Sequence, residues 1–353
     1  MAARLWTTGL VAAALTVAGA GAASAAPQQV TCGGTLTGYA RLKHDLTCPG
    51  NGVTLTGDAT LDLGGHRLAG SGAGVGVTAS PTGTSTIVNG TLRAWDRAVV
   101  AGDPESSDSP VVVVRRVRFA GNADAAIDAF VSTVTVDRAV VSGGRRGVEA
   151  SFGSSLTVSR STFRDVRFGV TIFFGRMSLT GSTVTGNESA VSCSEADCDV
   201  TGNVLARNGL AVSTFDASST IVDNDIAGND RGYTTSISSD DVHGNRFTGN
   251  GTAAEVGQLG STVMRQNVFV HNDVGFRGPD TAETAQVTLD RNTFRRNGDG
   301  ILVDFPGARL GGNSAVKNAR WGINAPGAID LGGNTARGNG NEPQCVGVVC
   351  TAH

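Results

Sequence analysis

Carboxylates and phenyl rings recur along this chain at intervals close to 21 residues or twice that number. Asp128 and Glu149 are 21 residues apart, and Phe130, Phe173 and Phe215 follow at steps of 43 and 42. Two carboxylates held side by side can act as general acid and base or bind a cation. Phenyl rings beside them can stack on the apolar faces of sugars, whose hydroxyls the carboxylates would orient. We therefore take Asp128 and Glu149 as a candidate catalytic pair and the three rings as candidate binding residues.

Further charged residues extend this candidate set. Arg277 is a candidate for substrate binding, and Glu195, Asp197 and Asp216 are candidates for a metal site, with calcium the cation that carboxylates would favour. Each has a plain alternative, since the acids can be ordinary solvated charges and the rings can pack under a loop or turn inward at a bulge. Three arginines stand nearby at turns whose direction the sequence does not fix, namely Arg145, Arg146 and Arg167.

The elements that position these residues repeat with the same period. NVLARN (203–208), NDIAGN (224–229) and NRFTGN (245–250) begin 21 residues apart, and each has a second Asn five residues on. Asn tolerates left-handed backbone angles, and stacked amides can donate to the next Asn and accept from the previous one. The two Asn columns therefore predict corners held by amide ladders, a scaffold feature without a catalytic role.

Three apolar columns accompany the Asn columns, one in each of three short segments per repeat. Such segments, flanked by polar residues and without a helical stretch, predict three short strands per coil. A leucine-rich repeat would need Leu at several fixed positions, and a propeller blade needs about twice this period. The columns are Phe119, Val141, Phe163, Val184, Leu205, Ile226, Phe247, Phe269, Phe294, Ala315 and Ala336; Val136, Val158, Leu179, Val200, Ile221, Val242, Met264, Leu289, Leu310 and Leu331; and Ile127, Val148, Val170, Val191, Val212, Tyr233, Ala254, Phe276, Ile301 and Ile323.

This pattern predicts an all-β fold, a parallel β-helix of about 12–13 coils of ~21–22 residues. Side chains alternate between inside and outside along a strand. With the last apolar column facing inward, Asp128, Glu149 and Arg277 face outward on the third strand of their repeats, and so do the three candidate Phe residues two positions later. Asp128 and Glu149 would lie about 5 Å apart on adjacent coils.

The repeats resemble the right-handed parallel β-helix superfamily that includes pectate lyases, and especially its NosD-like carbohydrate-binding and sugar-hydrolase members. The resemblance rests on NxFxxN…G[VI] coils from about residue 86 to 339 and on the entry segment 32–72, which contains Cys32 and Cys48. It implies a right-handed coil and a polysaccharide laid along one outer face of the rod. Lyases of this group use an Arg or Lys base near calcium ligands, but no segment here reproduces a pectate-lyase catalytic signature.

The ends of the chain carry their own signals. Residues 1–26 are typical of an export signal peptide, with the A-x-A site Ala23-Ser24-Ala25. We expect an N-terminal cap at 27–62, the β-helix at 63–340 and a disulfide cap at 341–353. Six cysteines in an exported chain indicate disulfides, and their clustering favours the local pairs Cys32 with Cys48, Cys193 with Cys198 and Cys345 with Cys350; metal binding is the alternative.

Composition limits the classes of partner that this chain can bind. The formal net charge is −3 with 17% charged residues, a balance that offers no field for nucleic acid, and no segment after the signal could span a bilayer. The sequence therefore favours a secreted or cell-wall-associated monomer that binds, and in the enzymatic case cleaves or epimerises, an extracellular polysaccharide. The alternative is a non-catalytic adhesive rod. No cofactor other than calcium is indicated.

Overall fold

The computed structural model describes residues 27–105, 109–278 and 285–351, and every regular element in these ranges is a β-strand. The predicted signal peptide, residues 1–26, lies outside the described residues. No helix in the described ranges has the length and hydropathy needed to cross a bilayer. The fold therefore has to be explained by strand pairing alone.

The strands form three faces, because each strand pairs in parallel with the strand one coil later. The first face contains Tyr39–Arg41, Thr60–Asp62, Thr133–Asp137, Ser218–Val222, Ser239–His243, Gly260–Arg265, Ala285–Asp290, Arg309–Gly311 and Ile329–Gly332. The second face contains Leu46–Thr47, Arg67–Ala69, Val140–Ser142, Thr162–Arg164, Thr183–Thr185, Val204–Ala206, Asp225–Ala227, Arg246–Thr248, Val268–Val270, Thr293–Arg295, Ser314–Val316, Asn334–Arg337 and Cys350–Thr351. The third face contains Gly34–Leu36, Val53–Leu55, Val75–Ala79, Arg97–Ala101, Ala125–Phe130, Leu210–Phe215, Arg231–Ser236, Thr252–Val256, Val274–Arg277, Asp299–Leu302, Ile323–Asn324 and Cys345–Val346.

Five longer strands continue around a corner from one face to the next. Two of them join the first and second faces, and three join the third face to the first face of the following coil. They are Thr84–Arg93, Val111–Ala120, Arg146–Ser159, Phe168–Thr180 and Ser189–Thr201.

The predicted right-handed parallel β-helix is confirmed, with about 14 turns instead of 12–13. The additional turn comes from the segment predicted as an N-terminal cap. Within it, Gly34–Leu36 pairs with Val53–Leu55 and Tyr39–Arg41 pairs with Thr60–Asp62. Coil formation therefore begins at residue 34, because these short apolar segments already bury a side chain against the next coil.

The three apolar columns form the interior of the rod, as the period predicts. Phe247 stacks on Phe269 with ring centroids 4.7 Å apart, and Phe269 stacks on Phe294 at 4.5 Å. Leu331 is the exception: it was predicted to be a core residue and its side chain is 48% exposed. The register shifts between Leu310 and Gly311, and the resulting bulge in the last coil turns Leu331 outward.

Two amide ladders run along the rod, as predicted. In one ladder the side-chain amide of Asn203 donates to Oδ1 of Asn224 at 3.0 Å, and that of Asn224 donates to Oδ1 of Asn245 at 2.9 Å. The second ladder extends to Asn339, whose amide donates to Oε1 of Gln344. Because these Asn residues are buried, the ladders satisfy polar groups that would otherwise be costly.

The explanation offered for Asn at the corners is wrong in one respect. The left-handed residue is the one before each ladder Asn, such as Asp223 at φ 54° and Arg207 at φ 55°. At these two Asn corners, between the first and second faces and between the second and third, Asn itself supplies the hydrogen bonds.

The third corner, where each coil passes from the third face to the next first face, also has left-handed residues but no Asn column. We call it the open corner; its left-handed residues other than Gly are Val131, Phe152, Phe174, Glu195, Asp216, Ile237 and Leu259.

The three predicted cysteine pairs are confirmed as disulfides. Cys32 is bonded to Cys48, Cys193 to Cys198 and Cys345 to Cys350. The middle bond is buried in the interior and crosses the open corner behind Glu195. The other two lie in the regions predicted as the N-terminal and C-terminal caps.

Candidate functional site

Four phenyl rings meet where the open corner borders the third face. Phe152 lies against Phe130 with ring centroids 4.9 Å apart, and against Phe173 and Phe174 at 5.8 and 5.7 Å. Phe173 contacts Phe174 edge-on at 4.3 Å. Phe152 is 49% exposed and Phe174 is 39% exposed. This group, called the aromatic cluster below, is a contiguous apolar surface open to solvent.

Local backbone geometry creates the aromatic cluster. Phe152 and Phe174 have φ of 52° and 50°, which places a bulky residue in the left-handed region. The register between their strands shifts from Ser151 to Ser154, so the Phe152 coil contains one additional residue. The strand alternation therefore ends at the corner, and two rings that a strand would direct to opposite sides both remain outside.

The three predicted binding rings have different positions in this arrangement. Phe130 and Phe173 point outward, as predicted, but they are half-buried beneath Phe152 and Phe174. Phe215 is 47% exposed and lies two coils beyond Phe173, outside the aromatic cluster. The solvent-facing ring surface is therefore provided mainly by Phe152, Phe174 and Phe215.

Asp128 and Glu149 stand directly opposite each other on adjacent coils, as the 21-residue spacing predicts. They are not a free carboxylate pair, because arginines hold both of them. Arg146 forms ion pairs with Glu149 and with Asp124, and its guanidinium lies 3.8 Å from Asp128. Arg97 donates a 3.2 Å hydrogen bond to Oδ2 of Asp128. We call these five residues the arginine–carboxylate cluster.

The electrostatics of this cluster keep Arg146 charged. Burial lowers the pKa of Arg146, but the hydrogen bond that it donates to Asp124 and the charges of Glu149, Asp128 and Asp124 outweigh that effect and raise it. Burial likewise raises the pKa of Asp124, but its hydrogen bonds and charge interactions with Arg146 and Arg145 bring the net value below the ordinary one. Arg146 is thus poorly suited to act as a proton acceptor.

The arrangement is suited to binding polar hydroxyls beside an apolar surface. Charged donors and acceptors in fixed positions give strong, directional hydrogen bonds. Asp128 and Phe130 point outward from the same strand, so the arginine–carboxylate cluster and the aromatic cluster share one surface. A ligand with hydroxyl edges and apolar ring faces would match both.

The other predicted site residues lie away from this surface. Arg277 is in the outward column of the third face but seven coils beyond Asp128, roughly 34 Å at the usual strand spacing. Glu195, Asp197 and Asp216 line a groove at the open corner. In the described ranges no group of three or more His, Cys, Asp or Glu side chains is arranged to hold a metal ion. A calcium site at Glu195, Asp197 and Asp216 stays a prediction.

Sequence reasoning missed Phe152, Phe174, Arg97 and Asp124. The two rings lie outside the three apolar columns, and each is followed by a Gly, in SFG and FFG. A large apolar residue outside the core columns and next to Gly is a signal that could have found them. Of the arginines left open, Arg146 enters the cluster, whereas Arg167 pairs with Glu188 and lies over the Phe168 ring.

Comparisons with known proteins agree with the architecture. The family model described as "Right handed beta helix region" matches residues 104–241. No curated protein matches the chain. A mutant of the periplasmic alginate epimerase AlgG has the same fold, with a TM-score of 0.52, 14% identity, and 74% of this chain and 75% of that chain covered.

A more distant match is the A-module of the Azotobacter vinelandii mannuronan C-5 epimerase AlgE4. It has a TM-score of 0.41 and 13% identity, with 91% and 89% of the two chains covered. At 14% identity the likeness to AlgG concerns the fold alone.

Proposed function

We propose that this protein is an exported rod that binds an extracellular polysaccharide across the open corner and the adjoining third face. The observation that carries the proposal is the aromatic cluster, whose rings are exposed where a soluble protein would ordinarily place polar side chains. Contiguous exposed apolar surface marks a binding site more often than chance. A flexible sugar polymer is a fitting occupant because its rings have apolar faces and hydroxyl edges.

The arginine–carboxylate cluster supports the same proposal. It places two guanidinium groups and three carboxylates beside the rings, with every charge paired and partly shielded from water. Such groups can exchange solvent for sugar hydroxyls without leaving a bare charge. Because Arg97, Asp128, Arg146 and Glu149 lie on three successive coils, the polar contacts run parallel to the axis of the rod, as a linear polymer requires.

The three disulfides support export, since such bonds persist mainly in oxidising compartments. The fold shared with an alginate epimerase supports a carbohydrate ligand in general terms, because that protein acts on a polysaccharide with the same architecture. Binding is favoured over catalysis because Asp128 and Glu149 are both engaged by arginines. Cleavage or epimerisation at this pair, and a purely adhesive role, are outcomes that experiment can separate.

The test is glycan binding by wild-type protein and by the double variant Phe152→Ala/Phe174→Ala, measured calorimetrically against a panel of soluble oligosaccharides. Loss of two anchoring rings should cost about 2 kcal/mol, roughly a thirtyfold drop in affinity. Val204→Ala is the matched control, since Val204 is 42% exposed on the second face and should bind as wild type.

Phe215→Ala is a second variant for the same binding assay. The Phe215 ring contacts none of the four rings of the aromatic cluster, so its loss should leave the fold intact. Circular dichroism of each variant confirms folding. If no glycan binds the wild type, or if the double variant binds them all equally well, the proposal is wrong. Sugar chains shortened or altered by the wild type, and unaltered by Asp128→Asn, would instead indicate catalysis.

A further inference from the structure

A groove begins at the aromatic cluster and follows the open corner along the rod. Its cavity volume is about 690 Å³, and its first lining residue, Gly175, follows Phe174 directly. The lining continues through successive coils to Gln286 on the first face. Five coil steps at the usual strand spacing make it roughly 24 Å long. The groove therefore continues the surface of the aromatic cluster in the direction in which a bound polymer would run.

Small residues form the floor of this groove and keep it open. One small residue from each of five successive coils contributes. At Gly260 the packing of adjacent coils requires a small residue, since φ is 118° and a Cβ there would lie 2.3 Å from the backbone oxygen of Ser238. The floor residues are Gly175, Ala196, Ala217, Ser238 and Gly260.

Every charged residue that lines the groove is acidic. Glu195, Asp197 and Asp216 face it, and no Arg, Lys or His is among the described lining residues. None of the three acids forms an ion pair within 4.0 Å in the part of the chain that the structure describes. Arg176 stands opposite Asp197 in the strand register, but it neither lines the groove nor approaches that carboxylate closely enough to pair.

Apolar surface borders the same acids. Phe215 precedes Asp216 and is 47% exposed, and Ile237, one coil further, lines the groove and is 41% exposed. A ligand that lies here must therefore tolerate negative charge and provide apolar faces. Both demands are met by a sugar ring carrying an ammonium group, which a carboxylate attracts and which an aromatic face also attracts.

We propose that the polysaccharide held on the aromatic cluster continues into this groove, and that it is a polymer of amino sugars with free amino groups. This inference rests on the proposed function and specifies its substrate class. A polyuronate such as alginate carries a carboxylate on each sugar, and those charges would face Glu195, Asp197 and Asp216 without a neutralising cation. The groove therefore selects against polyuronates and favours cationic hexosamine chains.

The experiment compares three oligosaccharides of equal length: a de-N-acetylated hexosamine oligomer, its N-acetylated counterpart and an oligouronate. We expect the amino form to bind about tenfold tighter than the N-acetylated form, since two or three exposed ion pairs contribute modestly each. Raising the salt from roughly 0.1 M to 1 M should remove most of that difference, because screening shortens from about 10 Å to 3 Å. The oligouronate should bind weakest.

The variant Glu195→Gln/Asp216→Asn, which leaves Asp197 in place, should lose most of that factor for the amino form and none for the N-acetylated form. Asp225→Asn, which removes an exposed charge on the second face, is the control and should change neither. Equal binding of amino and N-acetylated forms, or preferred binding of the oligouronate, overturns this inference but leaves the proposed function intact if Phe152→Ala/Phe174→Ala still weakens binding. If none of the three oligomers binds, the inference is wrong. Binding to the wider glycan panel then tests the proposed function separately.

Discussion

At the two Asn corners and at the open corner the chain makes the same kind of turn with different side chains. At an Asn corner the left-handed residue is followed by a buried Asn. The left-handed residue itself is exposed and is either Gly or polar, as at Gly228 or Lys317. At the open corner the left-handed residues include Phe152, Phe174 and Ile237, all of them exposed.

The two kinds of corner also differ in energetic terms. A residue with a Cβ in the left-handed region costs about 1–2 kcal/mol at either kind of corner, as at Asp223 and Phe152, and a β-branched residue such as Ile237 is especially disfavoured. At an Asn corner the hydrogen bonds of the buried Asn offset that cost. An exposed ring recovers little of that cost through burial. Stability therefore explains the Asn corners and does not explain the open corner. The left-handed apolar residues of the open corner are unfavourable for folding, and they lie together on one accessible edge of the rod. This arrangement is consistent with selection for binding.

The largest change in stability should come from breaking an Asn ladder with Asn224→Leu, which tests the Asn-corner side of this comparison. The amide of Asn224 donates to Oδ1 of Asn245 and to the backbone oxygen of Val200, both at 2.9 Å. Its own Oδ1 accepts two hydrogen bonds from Asn203. Loss of several buried bonds, each worth about 1–3 kcal/mol when a partner is left unsatisfied, should lower the free energy of unfolding by about 3–5 kcal/mol.

Urea denaturation of Asn224→Leu beside Val204→Ala measures this effect. The control should lie within about 0.5 kcal/mol of wild type because Val204 is an exposed position with no special role. A loss below 1 kcal/mol for Asn224→Leu would show that the ladder is not the main support of its corner, and the contrast with the open corner would then lose its physical basis.

An intermediate loss of stability is expected when the disulfide that crosses the open corner is removed. Closing the short loop between Cys193 and Cys198 should stabilise the fold by about 2 kcal/mol, so Cys193→Ala/Cys198→Ala should lose roughly that amount. Because the bond lies behind Glu195, hydrogen exchange should accelerate first at the open corner. Acceleration spread evenly over all three corners would contradict a local role for this bond.

The features predicted from the sequence are those that repeat. Phe247 over Phe269 follows from a column of like residues at one spacing, and so do the Asn ladders and the opposition of Asp128 and Glu149. Each coil repeats the same residue pattern, so the period and the inside–outside alternation of side chains are enough to predict these contacts. Local cysteine clusters settled the disulfides in the same way.

The candidate site was predicted only in part, because it lies where the repeat is interrupted. Phe152 has a left-handed backbone beside a register shift, so strand alternation no longer determines where its ring points. Arg146 is long enough to reach carboxylates on its own coil and on the previous one, and the sequence does not decide between them. Leu331 left the core for a similar reason, since a bulge in the last coil changed its register.

The smallest effect should come from relieving strain at the open corner with Ile237→Gly. Glycine adopts φ near 61° at no steric cost, whereas it loses more backbone entropy on folding, about 0.5–1 kcal/mol. Relief of about 1–2 kcal/mol of left-handed strain should balance or exceed that loss. The free energy of unfolding should therefore change by less than about 1 kcal/mol, even though a large side chain is removed.

The reverse substitution at an Asn corner provides the matched control for Ile237→Gly. Gly249 has φ 64° and an added Cβ would meet no atom within 4 Å, so Gly249→Ala introduces backbone strain without a clash. It should destabilise the protein by about 1 kcal/mol in urea denaturation. If Ile237→Gly costs as much as a buried core truncation, about 2 kcal/mol or more, then Ile237 supports the fold and the open corner is not maintained at the expense of stability.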